Sequence, residues 1–358
     1  MRVLLIGAGR YGNGLIGRKY MNGELGVKLN GVVDTRIDEL KKSSSYLLKG
    51  IPVYHSVEEV PKECIQNSIN EIALIPQIVP NVLKFLADQG AKQIILPKPV
   101  ATNMRDYQEI TDITTEKGIQ ALIASNWHYS GITKMLKAIL CKATGKEFDT
   151  SQIGADFSEK LSTVEGGFNI DSVEVEYNKQ NEVLTIDPPM QELPHALQIV
   201  YSTGLTNLSK IKPILDKLFQ SKSRVNVKLD GAEGIKEGIS LNSDLVMGEK
   251  LNKKRERLVK IFLSKDDANA IITADYDAFF DENGLCKKFP FIQYEFFKGS
   301  QKIQWIYHIA EDNMNVMYNS MFRFFQGSKN DALTVEKYSP IAKCLSKVQS
   351  IWEKIVKK

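Results

Sequence analysis

Three glycines are the first residues in the chain that could do chemistry. In MRVLLIGAGRYGNGLIG, Gly7, Gly9 and Gly12 follow an apolar run with the spacing G-x-G-x-x-G. Gly7 permits a tight turn, Gly9 lets backbone approach an anion with no Cβ in the way, and Gly12 allows a helix to pack closely on the preceding strand. The N-terminus of that helix offers free N–H groups to phosphates. Asp34, about twenty residues beyond the last glycine, ends the next apolar run, where a carboxylate accepts hydrogen bonds from the ribose hydroxyls. Together these residues describe a dinucleotide site. Asp34 repels a 2′-phosphate and so favours NAD. NADP stays open because Arg36, two residues on, could stack on adenine or receive that phosphate.

The elements that must hold these residues are legible in the same stretch. RVLLIG, KLNGVVD, EIALIP, KQIILP and IQALIAS are short apolar runs, each separated from the next by a helical pattern. Strands that alternate with helices pair in parallel, so residues 1–124 are expected to form a Rossmann domain, a doubly wound parallel α/β sheet. Past Asn126 the style changes. SVEVEY, RVNVKLDG, RLVKIFLS and NAIITADYDAFF alternate polar with apolar residues and are joined by turn-rich segments. That pattern predicts a second domain over 125–358, α+β, with a large and predominantly antiparallel sheet open on one face.

The stretch IILPKPVATN places Lys98 between two prolines at the carboxyl end of a predicted strand, where ligands of open α/β sheets collect. Here the chain resembles the Gfo/Idh/MocA oxidoreductases, a family that includes glucose–fructose oxidoreductase and inositol dehydrogenases. GAGRYGNG, ALIPQIVP, the Lys-Pro element, SNWHYS and a later helical histidine come in the family's order. The resemblance implies an enzyme, an NAD(P)-dependent oxidoreductase passing a hydride between nicotinamide and a sugar, polyol or cyclitol. It implies proton exchange with the substrate hydroxyl at Lys98, shared with His195. Arg10, Tyr11, Thr35, Pro76, Gln77 and Asn126 would join Gly7, Gly9, Gly12, Asp34, Arg36 and Lys98 around the cofactor. His128 and Tyr129 would face the substrate, with Trp127 in packing.

The chain also departs from the family pattern. Pro97 stands where the family has a glutamate before the Lys-Pro pair, and Gln191 where it has an aspartate one turn before the histidine. Helical spacing still leaves either Gln191 or Glu192 able to orient the His195 imidazole. These departures keep two alternatives open, a non-catalytic dinucleotide sensor and an imine reductase of the same family.

Composition excludes several classes. The net charge of +4 is small and dispersed, and the densest basic stretch, Glu249–Lys260, is interleaved with acids and reads as a solvated hairpin or helix end. No nucleic-acid partner is expected. Four scattered cysteines with no C-x-x-C argue against a disulfide framework or a metal site. No apolar run approaches a membrane span, and the start has no secretory cleavage region, so the expected place is the cytoplasm. The open sheet face predicts a homodimer or homotetramer.

Overall fold

Val3, Leu4, Leu5 and Ile6 are all buried, so the first strand has no solvent face, as a parallel strand covered by helices on both sides requires. In this computed structural model, residues 1–42, 48–181, 187–191, 193–215, 224–247, 256–277, 279–280 and 286–356 are described. They divide into two units, Met1–Asn126 with Met314–Ala342, and Trp127–Asn313 with Lys343–Lys358.

In the first unit, β1 (Arg2–Ile6), β2 (Lys28–Val33), β3 (Val53–Tyr54), β4 (Ile69–Ile72), β5 (Gln93–Leu96) and β6 (Gln120–Ile123) form a parallel sheet in the order β3-β2-β1-β4-β5-β6. The order reverses at β1, which lies between β2 and β4. Ile6 is level with Val33 on one side and with Ile72 on the other. All six strands point the same way, so the loops that follow them gather at one edge.

The sequence places a domain boundary at 124/125, and the first unit extends beyond it. Met314–Ala342 returns to this unit because it completes hydrogen bonds that the sheet leaves open at its β6 side. Ile123 N–H donates to Leu333 O at 2.9 Å, and Leu122 bridges Thr334. The Tyr107 hydroxyl donates to Val335 O.

The same return closes over a buried acid. Glu71, in the centre of β4, accepts from the Tyr20 hydroxyl at 2.5 Å and from the Tyr318 hydroxyl. Burial pushes its carboxyl up to about 7 from an ordinary 4.5, outweighing the two phenol donors, which act the other way. The folded state therefore favours the protonated acid. Its contribution is complete below the unfolded value near 4.5 and is lost as pH rises through about 7. Glu71→Gln, neutral at every pH, should gain on the wild type by up to about 3 kcal/mol across that window. Denaturant unfolding at several pH values measures it, and a gap that stays flat with pH would refute it.

The second unit holds β7 (Asn169–Asn181), β8 (Lys212–Ile214), β9 (Arg224–Asp230), β10 (Ile239–Met247), β11 (Glu256–Lys265), β12 (Ala268–Asp275), the short pair β13 (Phe279–Phe280) and β14 (Cys286–Lys288), then β15 (Phe291–Lys298) and β16 (Gln301–His308). The large sheet runs β16-β15-β12-β11-β7-β10-β9-β8, antiparallel except where β10 pairs with β7. Burial alternates along β9 and β15, so one face is covered and the other open. The helix Leu193–Thr203 lies against the covered face, touching β7 and β10. Leu193 to Val200 are buried without a break, the mark of a helix enclosed on all sides. Among the described residues, no helix is long and apolar enough to cross a membrane.

Candidate functional site

At the carboxyl edge of the first sheet, the backbone explains each glycine separately. Gly7 has φ +102°, and a Cβ there would lie 2.5 Å from Ala73 O. A Cβ on Gly12 would come within 1.9 Å of Gly7 O, which no side chain survives. Gly9 differs, since a Cβ on it meets nothing within 4 Å. Its open side is where a pyrophosphate can approach backbone. The segment after it, Arg10–Gly17, winds as a π-helix before the α-helix Arg18–Met21.

Asp34 follows β2 with its side chain 8% exposed. One carboxylate oxygen accepts from Ala8 N–H at 2.8 Å and the other from Arg36 N–H at 2.8 Å. The acid is thus tied to the glycine loop, and each oxygen keeps a further lone pair for a ribose hydroxyl. Arg36 is 63% exposed with Nε 3.9 Å from Asp34, free to swing toward an adenine. The open cradle at Gly9 and the anchored acid fit a dinucleotide.

The other loops of this edge carry the remaining first-unit candidates. Pro76 is buried and Gln77 exposed on the turn that follows β4. Lys98 is half-buried after β5, and the Lys98–Pro99 peptide is cis. Asn126, half-buried, opens the short helix Asn126–Tyr129 after β6. Thr35 is exposed next to Asp34. The structure therefore brings Gly7, Gly9, Gly12, Asp34, Thr35, Arg36, Pro76, Gln77, Lys98 and Asn126 to one edge. Glu192 and the side chains of Arg10 and Tyr11 lie outside the described residues.

The second unit assembles its own cluster. His195, 8% exposed, stacks on Tyr177 at 4.9 Å between centroids and 12° between planes. Trp127 meets the same imidazole edge-on at 6.3 Å and donates from Nε1 to the Tyr177 hydroxyl at 3.2 Å. His128 Nδ1 sits 2.8 Å from the Ser202 hydroxyl, and Tyr129 is buried against the His128 ring at 4.9 Å. Gln198, one turn past His195, donates to Ser202 at 2.7 Å. Gln191 is half-buried at the end of the helical turn Pro188–Gln191.

Sequence reasoning missed Arg257, Tyr177 and Asp277. It read the basic stretch through Lys260 as solvated. Residues 248–255 lie outside the described residues, and from Glu256 the chain is β11. Arg257 shares the parity of Val259 and Ile261 and so points to the covered face, with its side chain only 12% exposed. Strand alternation (Arg257, Val259, Ile261, Leu263 on one side) was the available signal.

Residues 1–125 match the profile described as the GFO_IDH_MocA oxidoreductase family, NAD-binding Rossmann fold. No curated protein matches the chain. An oxidoreductase from Agrobacterium radiobacter, solved in complex with NAD+, L-tartaric acid and magnesium, is 12% identical with a TM-score of 0.60, covering 99% of this chain and 94% of that one. The dehydrogenase MviM from Clostridium difficile is 12% identical with a TM-score of 0.59, covering 99% and 98%. At such identity these two establish a shared fold along the whole length. Residues 1–125 thus match the model of the Gfo/Idh/MocA oxidoreductases' NAD-binding Rossmann fold, and the whole chain shares its fold with solved oxidoreductases.

Proposed function

We propose that the protein is an NAD-dependent oxidoreductase of a sugar, polyol or cyclitol hydroxyl. The observation that carries the reading is Lys98, half-buried between two prolines on the same sheet edge as the Gly9 cradle and Asp34. Bound NAD supplies the hydride acceptor. Gly9 and the helix start take its pyrophosphate, and Asp34 takes its ribose. Lys98 accepts the hydroxyl proton during oxidation and returns it during reduction, while its ammonium form polarises a carbonyl without a metal. His195 is the second proton-transfer residue.

The test is direct. Purified protein with NAD and a panel of sugars, polyols and inositols should give absorbance growth at the NADH band with at least one class. Tight NAD binding with no turnover across the panel, in either direction, would point instead to a dinucleotide sensor. The open sheet face, which carries exposed Ile306 and half-buried Phe291, Phe297 and Phe262, supports association into a homodimer or homotetramer. Sedimentation at the mass of one chain would remove that part of the reading.

A further inference from the structure

Arg257 is an odd residue for its position. It enters from β11 directly opposite Tyr177 of β7, on the covered face, among Val175, Val259 and Ile261. Its guanidinium carbon lies 5.0 Å from the Tyr177 ring centroid and 5.5 Å from that of Trp127, both within cation–π range. Asp277, just past β12 and 6% exposed, faces it with Oδ1 3.7 Å from Nε. The backbone is anchored too, since Arg257 O accepts from Tyr276 N–H at 2.8 Å. Tyr276 closes the cluster, edge-on to Trp127 at 5.0 Å and with its hydroxyl 3.1 Å from that of Thr133.

The same two rings that take the guanidinium also contact His195. Tyr177 stacks on the imidazole and Trp127 meets its edge. We propose that Arg257 is a positioning residue for His195: acting through Tyr177 and Trp127, it fixes the plane of the imidazole and disfavours its cationic form. This inference rests on the reading of His195 as a proton-transfer residue, and it says which way that residue is biased.

A ring face already engaged by one cation has less to give a second, so an imidazolium on Tyr177 competes with Arg257. Two like charges that share the Tyr177 and Trp127 rings also repel, and both side chains are largely buried, so solvent screens them little. Asp277, with Oδ1 3.7 Å from the guanidinium Nε, offsets part of this field. Among the described residues, those that face His195 include Tyr177 from β7, Trp127 from the helix Asn126–Tyr129 and, through these, Arg257 with Asp277. Gln198 on its own helix leads on to His128 and Ser202. The consequence is an imidazole biased toward its neutral form.

Histidine ring NMR on the full chain tests this without any substrate. The chain has four histidines, His55, His128, His195 and His308, so His195→Gln assigns the signal. Arg257→Met, similar in length and uncharged, should raise the His195 midpoint by about half a pH unit or more. Arg257→Lys keeps the charge and should stay close to the wild type. The His55 and His308 midpoints should not move in either variant. A His195 midpoint unchanged in Arg257→Met, or moved equally in both variants, overturns the proposal. Should Arg257→Met fail to fold by circular dichroism, Asp277→Asn serves in the opposite sense. Stripping the compensating carboxylate should lower the His195 midpoint, and no change there overturns the proposal as well. If His195→Gln left turnover intact, the proton-transfer reading would fall while this charge coupling would stand, so the two failures are separable.

Discussion

Gly12→Ala should unfold the nucleotide loop, whereas Gly9→Ala should leave the fold intact and remove only the cofactor. The two glycines sit three residues apart in one motif and differ in what a methyl group meets. At Gly12 it meets Gly7 O at 1.9 Å, backbone that cannot turn aside. Relief requires the helix start to shift off β1, at a cost of about 3 kcal/mol by the scale of overpacked sites. For a unit the size of the first one that lowers Tm by about 6–12 °C. At Gly9 the methyl meets no protein atom within 4 Å, and its φ of −68° with ψ of −162° suits any residue. Its methyl would project into the space that a pyrophosphate needs.

Thermal unfolding with and without NAD separates the cases. Gly12→Ala is expected to melt early and to show no rise with NAD. Gly9→Ala is expected to melt like the wild type without cofactor and to lose about 100-fold in NAD affinity, or roughly 2.7 kcal/mol of ligand stabilisation at a wild-type-saturating concentration. A Gly9→Ala protein that NAD still stabilises fully would move the pyrophosphate elsewhere, and with it the whole assignment of this edge.

The glycine loop was readable because its constraint is local: strand, turn and helix follow one another within a few residues. The alternation of strands with helices likewise gave the parallel sheet, since each element's burial is printed in its own pattern. The order β3-β2-β1-β4-β5-β6 is not printed there, nor is the parallel pairing of β7 with β10, because each depends on partners distant in the chain. Glu71 illustrates the limit. It reads as the polar start of EIALIP, yet it is enclosed by Tyr318, 247 residues away. No local signal announces such a lid, and for the same reason the return of Met314–Ala342 to the first unit goes unseen. Arg257 was missed for a different reason. Local charge density in KKRERLVK spoke for solvent, and strand parity, which spoke for the interior, decides once β7 is there to pair with. The chemistry-bearing residues that sequence does reveal are those whose backbone demands are short-range. The ones that tune them enter from neighbouring strands.

The largest catalytic effect is expected at Lys98. Lys98→Met keeps the length and apolar stem of the side chain and removes its three donors and its titratable nitrogen. Pro97 and Pro99 remain on either side of the substituted residue, so the loop should keep its course. Pro99 and Val100, both buried, anchor it from the far side. NAD contacts assigned to Gly9 and Asp34 lie on loops that follow other strands, β1 and β2, and the cofactor should bind within about threefold of the wild type. Turnover is another matter. A positioned acid–base group contributes about 10²–10⁴ in rate, and the same ammonium also polarises the carbonyl in reduction, so kcat should fall at the upper end of that range. The loss should appear in kcat with KM little changed, because the proton shift is made only in the transition state. Steady-state kinetics on the best substrate of the panel, beside NAD titration by fluorescence, reads both quantities. A Lys98→Met enzyme within tenfold of wild-type kcat would take the lysine out of the proton transfer and leave His195 to carry it alone. A variant that loses NAD as well would show that Lys98 holds the cofactor rather than the substrate proton. The predicted split, with cofactor kept and turnover gone, is what a half-buried lysine at the edge of β5 entails if its task is to exchange the hydroxyl's proton.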